Sequence, residues 1–309
     1  MQNRREFVRN LAALGASAYL LPSLDAYASN DDKTVIAGQQ YPWHTFYQRD
    51  GLEWNDDLPK SLKHYASSGL KGFEPIVTSV EYLRNLKQLF KKNDLQVTSL
   101  YLNSVLHDEA KLAESMSQFL NIAYYASSLG VKIIVTNPSP IKWGGDEDKS
   151  DDQLKRQAKA LDALGEKLQK YGMTLAYHNH DAELRNNGKE FHYMLQNTSA
   201  SNVKFCLDAH WVYRGTGNSE ATLFEVVEMY YDRIVELHLR QSQNEVWTEA
   251  FGEGDIDYAR LADFLLKKNK NPLLVLEQAV EKGTPKTLDA VAAHRKGLEY
   301  TTRIFKDFI

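Results

Sequence analysis

Four short stretches of this sequence carry side chains able to bind a cation and move a proton. His178-Asn179-His180-Asp181, Asp208-Ala209-His210-Trp211, His238-Leu239-Arg240 and Glu277-Gln278 each follow directly on an apolar run. Imidazole and carboxylate are common ligands of divalent metals, and they also serve as general bases and acids near neutral pH. One histidine at the end of a strand is usually a hydrogen-bonded core residue. Four consecutive runs ending in ligand types are harder to ascribe to packing, because a buried carboxylate needs a partner that an apolar run does not supply.

The elements that must position these residues are eight apolar or β-branched runs separated by helix-periodic segments. The runs are Thr34-Val35-Ile36-Ala37, Leu70-Lys71-Gly72-Phe73, Leu95 to Leu100, Val131 to Val135, Met173 to Tyr177, Val203 to Leu207, Ile234 to Leu237 and Leu273 to Leu276. Helix-ending glycines, Gly69, Gly130 and Gly172, announce three of them. This repetition predicts a single-domain α/β fold, a closed (β/α)8 TIM barrel. An open doubly wound sheet would carry a glycine-rich phosphate turn after its first strand, and Gly38-Gln39-Gln40-Tyr41 is not one. In a parallel barrel the reacting groups sit at the C-terminal strand ends, which is where the four stretches fall. Residues 144–152 read as a solvated loop, Gly252-Glu253-Gly254-Asp255 as a tight turn, and the single cysteine, Cys206, as core.

The 309 residues are 43% hydrophobic and 25% charged with a formal net charge of -4, which excludes disorder and offers nothing to attract a phosphate backbone. One cysteine forms no internal disulfide and no thiolate zinc finger. The first residues have a different character. Arg4-Arg5 precedes Phe7, the apolar stretch Leu11 to Leu21 follows, and Ala26-Tyr27-Ala28 closes the segment. That order predicts a twin-arginine-type signal peptide over residues 1–28, a barrel over 29–309, and a periplasmic or otherwise exported protein. The apolar stretch is too short for stable membrane insertion.

From Val35 to the last helix, the chain resembles the sugar isomerase/epimerase superfamily of xylose-isomerase-like TIM barrels. The resemblance rests on Gly172 to Asp181, Phe205-Cys206-Leu207-Asp208, Leu237-His238-Leu239, Gly252 to Asp257 and Leu276-Glu277. It implies one divalent ion, such as manganese, cobalt or zinc, held by residues ending strands five to eight. Those positions are His178, Asp208, His238 and Glu277. Histidine stands at the first of them where many members have glutamate. His180 shares the face of His178, so either ring is open as the ligand and either as the base. Arg240 is expected to hold a substrate oxygen, and Glu74 to close the pocket or hydrogen-bond a metal-bound histidine. His210 and Trp211 are expected to touch substrate, with Trp43, Trp143 and Trp247 as further stacking faces.

The implied substrate is a small sugar or keto-glycoside, and the implied chemistry removes a proton beside a carbonyl through an enediolate. Protonation elsewhere on the enediolate isomerises or epimerises the sugar, whereas loss of a leaving group is β-elimination. Export favours glycosides over sugar phosphates, and histidine in place of the fifth-strand glutamate removes one of the two bases an epimerase uses. Elimination from a 3-keto-glycoside, with His178, His180 and Glu277 as acid–base groups, is therefore the favoured reading. The alternatives are an isomerase or epimerase of free ketoses, a metal-dependent phosphodiesterase, and a non-catalytic sugar-binding barrel. Changing Arg4 and Arg5 together to lysine is expected to retain the folded protein in the cytoplasm, measured by fractionation. Normal processing and export of that variant would refute the twin-arginine reading.

Overall fold

The computed structural model describes residues 35–309, and the signal-peptide reading of residues 1–28 lies outside them. The eight runs become eight strands: β1 (Ala37–Gln39), β2 (Gly72–Glu74), β3 (Gln96–Val97 and Ser99–Tyr101), β4 (Ile133–Thr136), β5 (Thr174–His178), β6 (Val203–Asp208), β7 (Ile234–Leu239) and β8 (Leu273–Leu276). All pair in parallel with their sequence neighbours, and β8 closes on β1 through Ala37↔Val275 and Gly38↔Leu276. β3 is broken at Thr98, its first half pairing with β2 and its second with β4. The fold is a (β/α)8 TIM barrel. β1 lies later than the apolar run predicts, its pairing with β2 and β8 starting at Ala37. The glycine at 72 permits this corner to close, since a Cβ there would lie 2.8 Å from both Ala37 Cβ and Thr98 Cγ2.

Side chains alternate across each strand. Leu175 and Tyr177 of β5, and Phe205 and Leu207 of β6, face the helices and join the large core. Ala176 and Cys206 face inward, where they pack with Tyr101, Ile133 and Val135. The next inward positions toward the C-terminal mouth are His178 and Asp208, so the same alternation that fills the barrel delivers polar groups to its top. The surrounding helices start on side-chain caps from Ser79, Asp108, Ser150, Ser219, Asp257 and Asp289. Gly69, Gly130 and Gly172 follow helix ends with φ of +97°, +83° and +67°, the left-handed conformation that stops a helix. Among the described residues no helix is long and apolar enough to cross a membrane.

Trp43 does not face a sugar. It is fully buried in the helix Gln40–Arg49 and stacks on His294 of the helix Ala290–Ile304, centroids 4.4 Å apart. His294 Nδ1 donates to Ala290 O at 2.7 Å, while Nε2 has no partner. Burial pushes its pKa down to about 4. An unfolded histidine titrates near 6.5, so between pH 6.5 and 4 the unfolded chain takes up a proton that the folded one refuses. Stability therefore falls as pH drops through that window, by up to about 3 kcal/mol for this group. His294→Phe, which keeps the stack and removes the titration, is expected to flatten that part of the stability curve in urea unfolding. Identical slopes for the two proteins would refute it.

Candidate active site

β5 to β8 are adjacent in the ring, and their register sets Asp208 beside His238 and His178 beside Cys206. His178 and Asp208 end their strands, His238 is the penultimate residue of β7, and Glu277 follows β8. One ligand atom from each of these four buried residues lies within 4.8 Å of the others. His178 Nε2 is 3.9 Å from Asp208 Oδ2 and 3.8 Å from Glu277 Oε2, and Glu277 Oε2 is 2.9 Å from His238 Nδ1. Both ring nitrogens of His178 and Oδ2 of Asp208 are buried without a hydrogen-bond partner. Orphaned polar atoms in a dry site are costly, and two imidazoles with two carboxylates are a donor set that a divalent cation would satisfy.

The geometry separates the two histidines that sequence leaves equivalent. His178 is inside the four-residue cluster, and its pKa is pushed down to about 4, mainly by burial. His180 stands outside it, its ring 4.8 Å from that of His178, and is only half-buried. Its backbone N–H donates to Glu183 Oε2 at 2.7 Å, and its ring lies between Trp143 and Trp211, at 5.4 and 5.6 Å. Its Nδ1 has no partner. Burial and the neighbouring His178 hold it well below the ordinary imidazole range.

Arg240 is already engaged. Its Nη2 is 2.9 Å from Glu277 Oε2 and 3.6 Å from Asp208 Oδ2, and Nε donates to the Glu277 carbonyl at 3.0 Å. The guanidinium lies over Trp247 at 4.4 Å and Trp211 at 5.0 Å, and only Nη1 lacks a partner. Burial would raise the pKa of Glu277, but Arg240 and His238 outweigh it and hold that carboxyl well below its usual value. Asp208 is different: burial prevails over the more distant Arg240 and pushes it up to about 7.

The remaining expected residues scatter around this centre. Glu74 is fully buried, with Oε1 3.2 Å from His238 Nε2, the ring nitrogen opposite the one facing Glu277. His210 lies on the helix Ala209–Gly215, buried against Trp247 and Tyr213 with neither nitrogen partnered, and burial drives its pKa to about 2. Trp211 is half-buried beside His180 and Arg240. Asp255 caps the turn between Ser242–Gln243 and Val246–Trp247, accepting from Ser242 Oγ, Asn244 N and Glu245 N. Glu236 went unnoticed in the sequence, although its spacing two residues before His238 puts it on the same inward face.

The family model of the xylose isomerase-like TIM barrel matches residues 62–304. The chain belongs to that family. It is 20% identical over 292 residues to an inosose dehydratase of Salmonella typhimurium, covering 82% of this chain and 94% of that one. A crystal structure of 3-keto-D-glucoside 4-epimerase from E. coli superposes with a TM-score of 0.63 at 17% identity, covering 88% of this chain and all of that one. A xylose isomerase-like barrel from Mycobacterium smegmatis in complex with magnesium has a TM-score of 0.66 at 12% identity, covering 89% and 98%. Members of this superfamily are carbohydrate-modifying enzymes. Metal analysis of the purified protein is expected to find about one divalent ion per chain. Asp208→Ala or Glu277→Ala is expected to weaken binding by more than the roughly 10–100-fold typical of losing an outer-shell partner. Full occupancy in either variant would refute the ligand assignment.

Proposed function

We propose that the protein is an exported, divalent-metal-dependent enzyme that eliminates the aglycone from 3-keto-glycosides. The observation that carries this reading is the placement of the two histidines, His178 within the cluster of ligand atoms and His180 beside it with its ring between two indoles. That leaves one base on one side of the substrate, which suits elimination better than two-sided epimerisation. Relatives named as dehydratases, enzymes that eliminate water, support the outcome, and a neighbour named for a 3-keto-glucoside supports the substrate class.

His178, Asp208, His238 and Glu277 would hold a divalent cation, which would supply Lewis-acid chemistry at the substrate carbonyl. His180, whose ring stands beside the ligand cluster between Trp143 and Trp211, takes the C2 proton, which the C3 ketone makes acidic. The electron pair left at C2 forms the C1–C2 double bond as the C1–O bond breaks, giving a 2-hydroxy-3-keto-glycal. The departing oxygen takes its proton from protonated His180 or from solvent, so no co-reactant is needed. Glu277 is held ionised by Arg240 and His238 and serves as a ligand, not as the leaving-group acid expected from sequence. Arg240 keeps the two ligand carboxylates in register, and its remaining Nη1 is buried without a partner. Trp211 and the exposed Trp143 flank His180, where they hold the sugar against the base.

The test incubates metal-loaded protein with a glucoside, its 3-keto derivative and free ketoses. Aglycone release from the keto-glucoside alone is expected. His180→Gln should retain metal while kcat falls by about 10²–10⁴-fold, the usual contribution of a general base. Interconversion of free ketoses without aglycone release would assign an epimerase instead, and neither activity would leave a sugar-binding barrel.

A further inference from the structure

Two buried carboxylates on the far side of His238 play no part in that chemistry, and nothing in the barrel's architecture requires them. Glu236 Oε1 lies 3.2 Å from His238 Nε2 in hydrogen-bond geometry. Glu74 Oε1 is at the same 3.2 Å but makes no hydrogen bond, so it stands out of line with the ring N–H. Its other oxygen accepts from Ser99 Oγ at 2.7 Å, and Ser99 Oγ is also 3.3 Å from Glu236 Oε1. Cys206 Sγ, on the inward face of β6, completes the surroundings of Glu236 at 3.9 Å. All five side chains are buried.

An imidazole offers a cation only one nitrogen, and the proton on the other decides which. At Nε2 the in-line acceptor is Glu236. At Nδ1 stands Glu277 Oε2, itself one of the four clustered ligands, 2.9 Å away. Strand alternation alone would leave the His238 ring free to turn, because no backbone group holds either nitrogen. We propose that Glu236 is a positioning residue that accepts the His238 Nε2–H, fixes the ring, and makes Nδ1 the metal-binding nitrogen. Glu74 and Ser99 hold the Glu236 carboxylate in place from the side. This inference rests on the metal-site reading above. A competing use of the same atoms exists, since Glu74, Glu236 and His238 are themselves a set of ligand atoms within 4.8 Å of one another.

The test loads the ¹⁵N-histidine-labelled chain with Zn²⁺ as a diamagnetic probe and reads the two His238 nitrogens in long-range ¹H–¹⁵N spectra. Nδ1 is expected to be metallated and Nε2 protonated, with one ion per chain. Zinc affinity should fall about 10–100-fold in Glu236→Ala, less in Glu236→Gln, which keeps an acceptor, and least in Glu74→Gln. The visible spectrum of the Co²⁺ form should change in the same order, a change that a loss of folding stability alone does not produce. Unchanged affinity in Glu236→Ala or two ions per chain would each overturn the inference and leave the four-ligand site standing, whereas metallation at Nε2 would overturn it by assigning His238 to the Glu74–Glu236 set. A wild-type chain that binds no ion brings down the metal-site reading and this inference with it. The wild-type spectrum decides the tautomer even if Glu236→Ala fails to fold.

Discussion

The mouth of this barrel is organised by an excess of buried carboxyl groups. Glu74, Asp208, Glu236 and Glu277 are all buried, and among the described residues the only arginine or lysine that pairs with any of them is Arg240, which reaches two. Removing an ionised carboxylate from water costs several kcal/mol even after the protein relaxes. The protein answers in three ways. Arg240 bridges Asp208 and Glu277, His238 sits between Glu277 and the Glu74–Glu236 pair, and Asp208 is pushed toward protonation. Each answer is partial, as the unpartnered atoms of His178, Asp208 and Glu236 attest. The donor atoms left over are ones that a divalent cation would satisfy.

Asp208 illustrates how the fold produces such a site without special local structure. It ends β6 and is also the cap of the helix Ala209–Gly215, where Oδ1 accepts from Trp211 N at 2.8 Å. That bond fixes the carboxylate and leaves Oδ2, the oxygen without a partner, turned to His178 and Arg240. The strand-to-helix junction of a βα unit thus supplies a ligand already held in one rotamer. His178 is supported differently, through its carbonyl, which accepts from Asn137 Nδ2 at 3.1 Å while the ring stays unencumbered. Backbone and cap groups fix the ligands, so that their reactive atoms remain free.

Much of this was legible in the sequence, because barrel strands announce themselves by apolar runs and the groups that follow each run must lie at one end. That reasoning together with the resemblance singles out His178, Asp208, His238 and Glu277, which the barrel brings together. The choice between His178 and His180 was not legible. Both share a face, and only the register of β5 against β6, together with the approach of β8, shows which ring reaches the carboxylates. Glu236 was hidden for a similar reason: inside an apolar run it reads as an interruption, and its meaning depends on a hydroxyl from β3 and a carboxylate from β2. Trp43 misled because a tryptophan just after a strand has the same signature whether it faces the mouth or packs under the next helix.

The aromatic residues at the mouth follow the same electrostatic logic. Trp247 has Arg240 at 4.4 Å and Arg214 at 4.9 Å from its ring, and Trp211 meets it edge-on. Arg214 is itself paired with Glu281, which also accepts from Trp247 N. These indoles therefore immobilise the cation that balances Asp208 and Glu277, a task for which their electron-rich faces are suited. A face occupied by a guanidinium cannot also stack on a sugar. The rings of Trp143 and Tyr41 remain exposed, and Trp143 stands edge-on to His180. His178, Asp208, His238, Glu277 and Arg240 are all buried at the strand ends, with the half-buried His180 beside them.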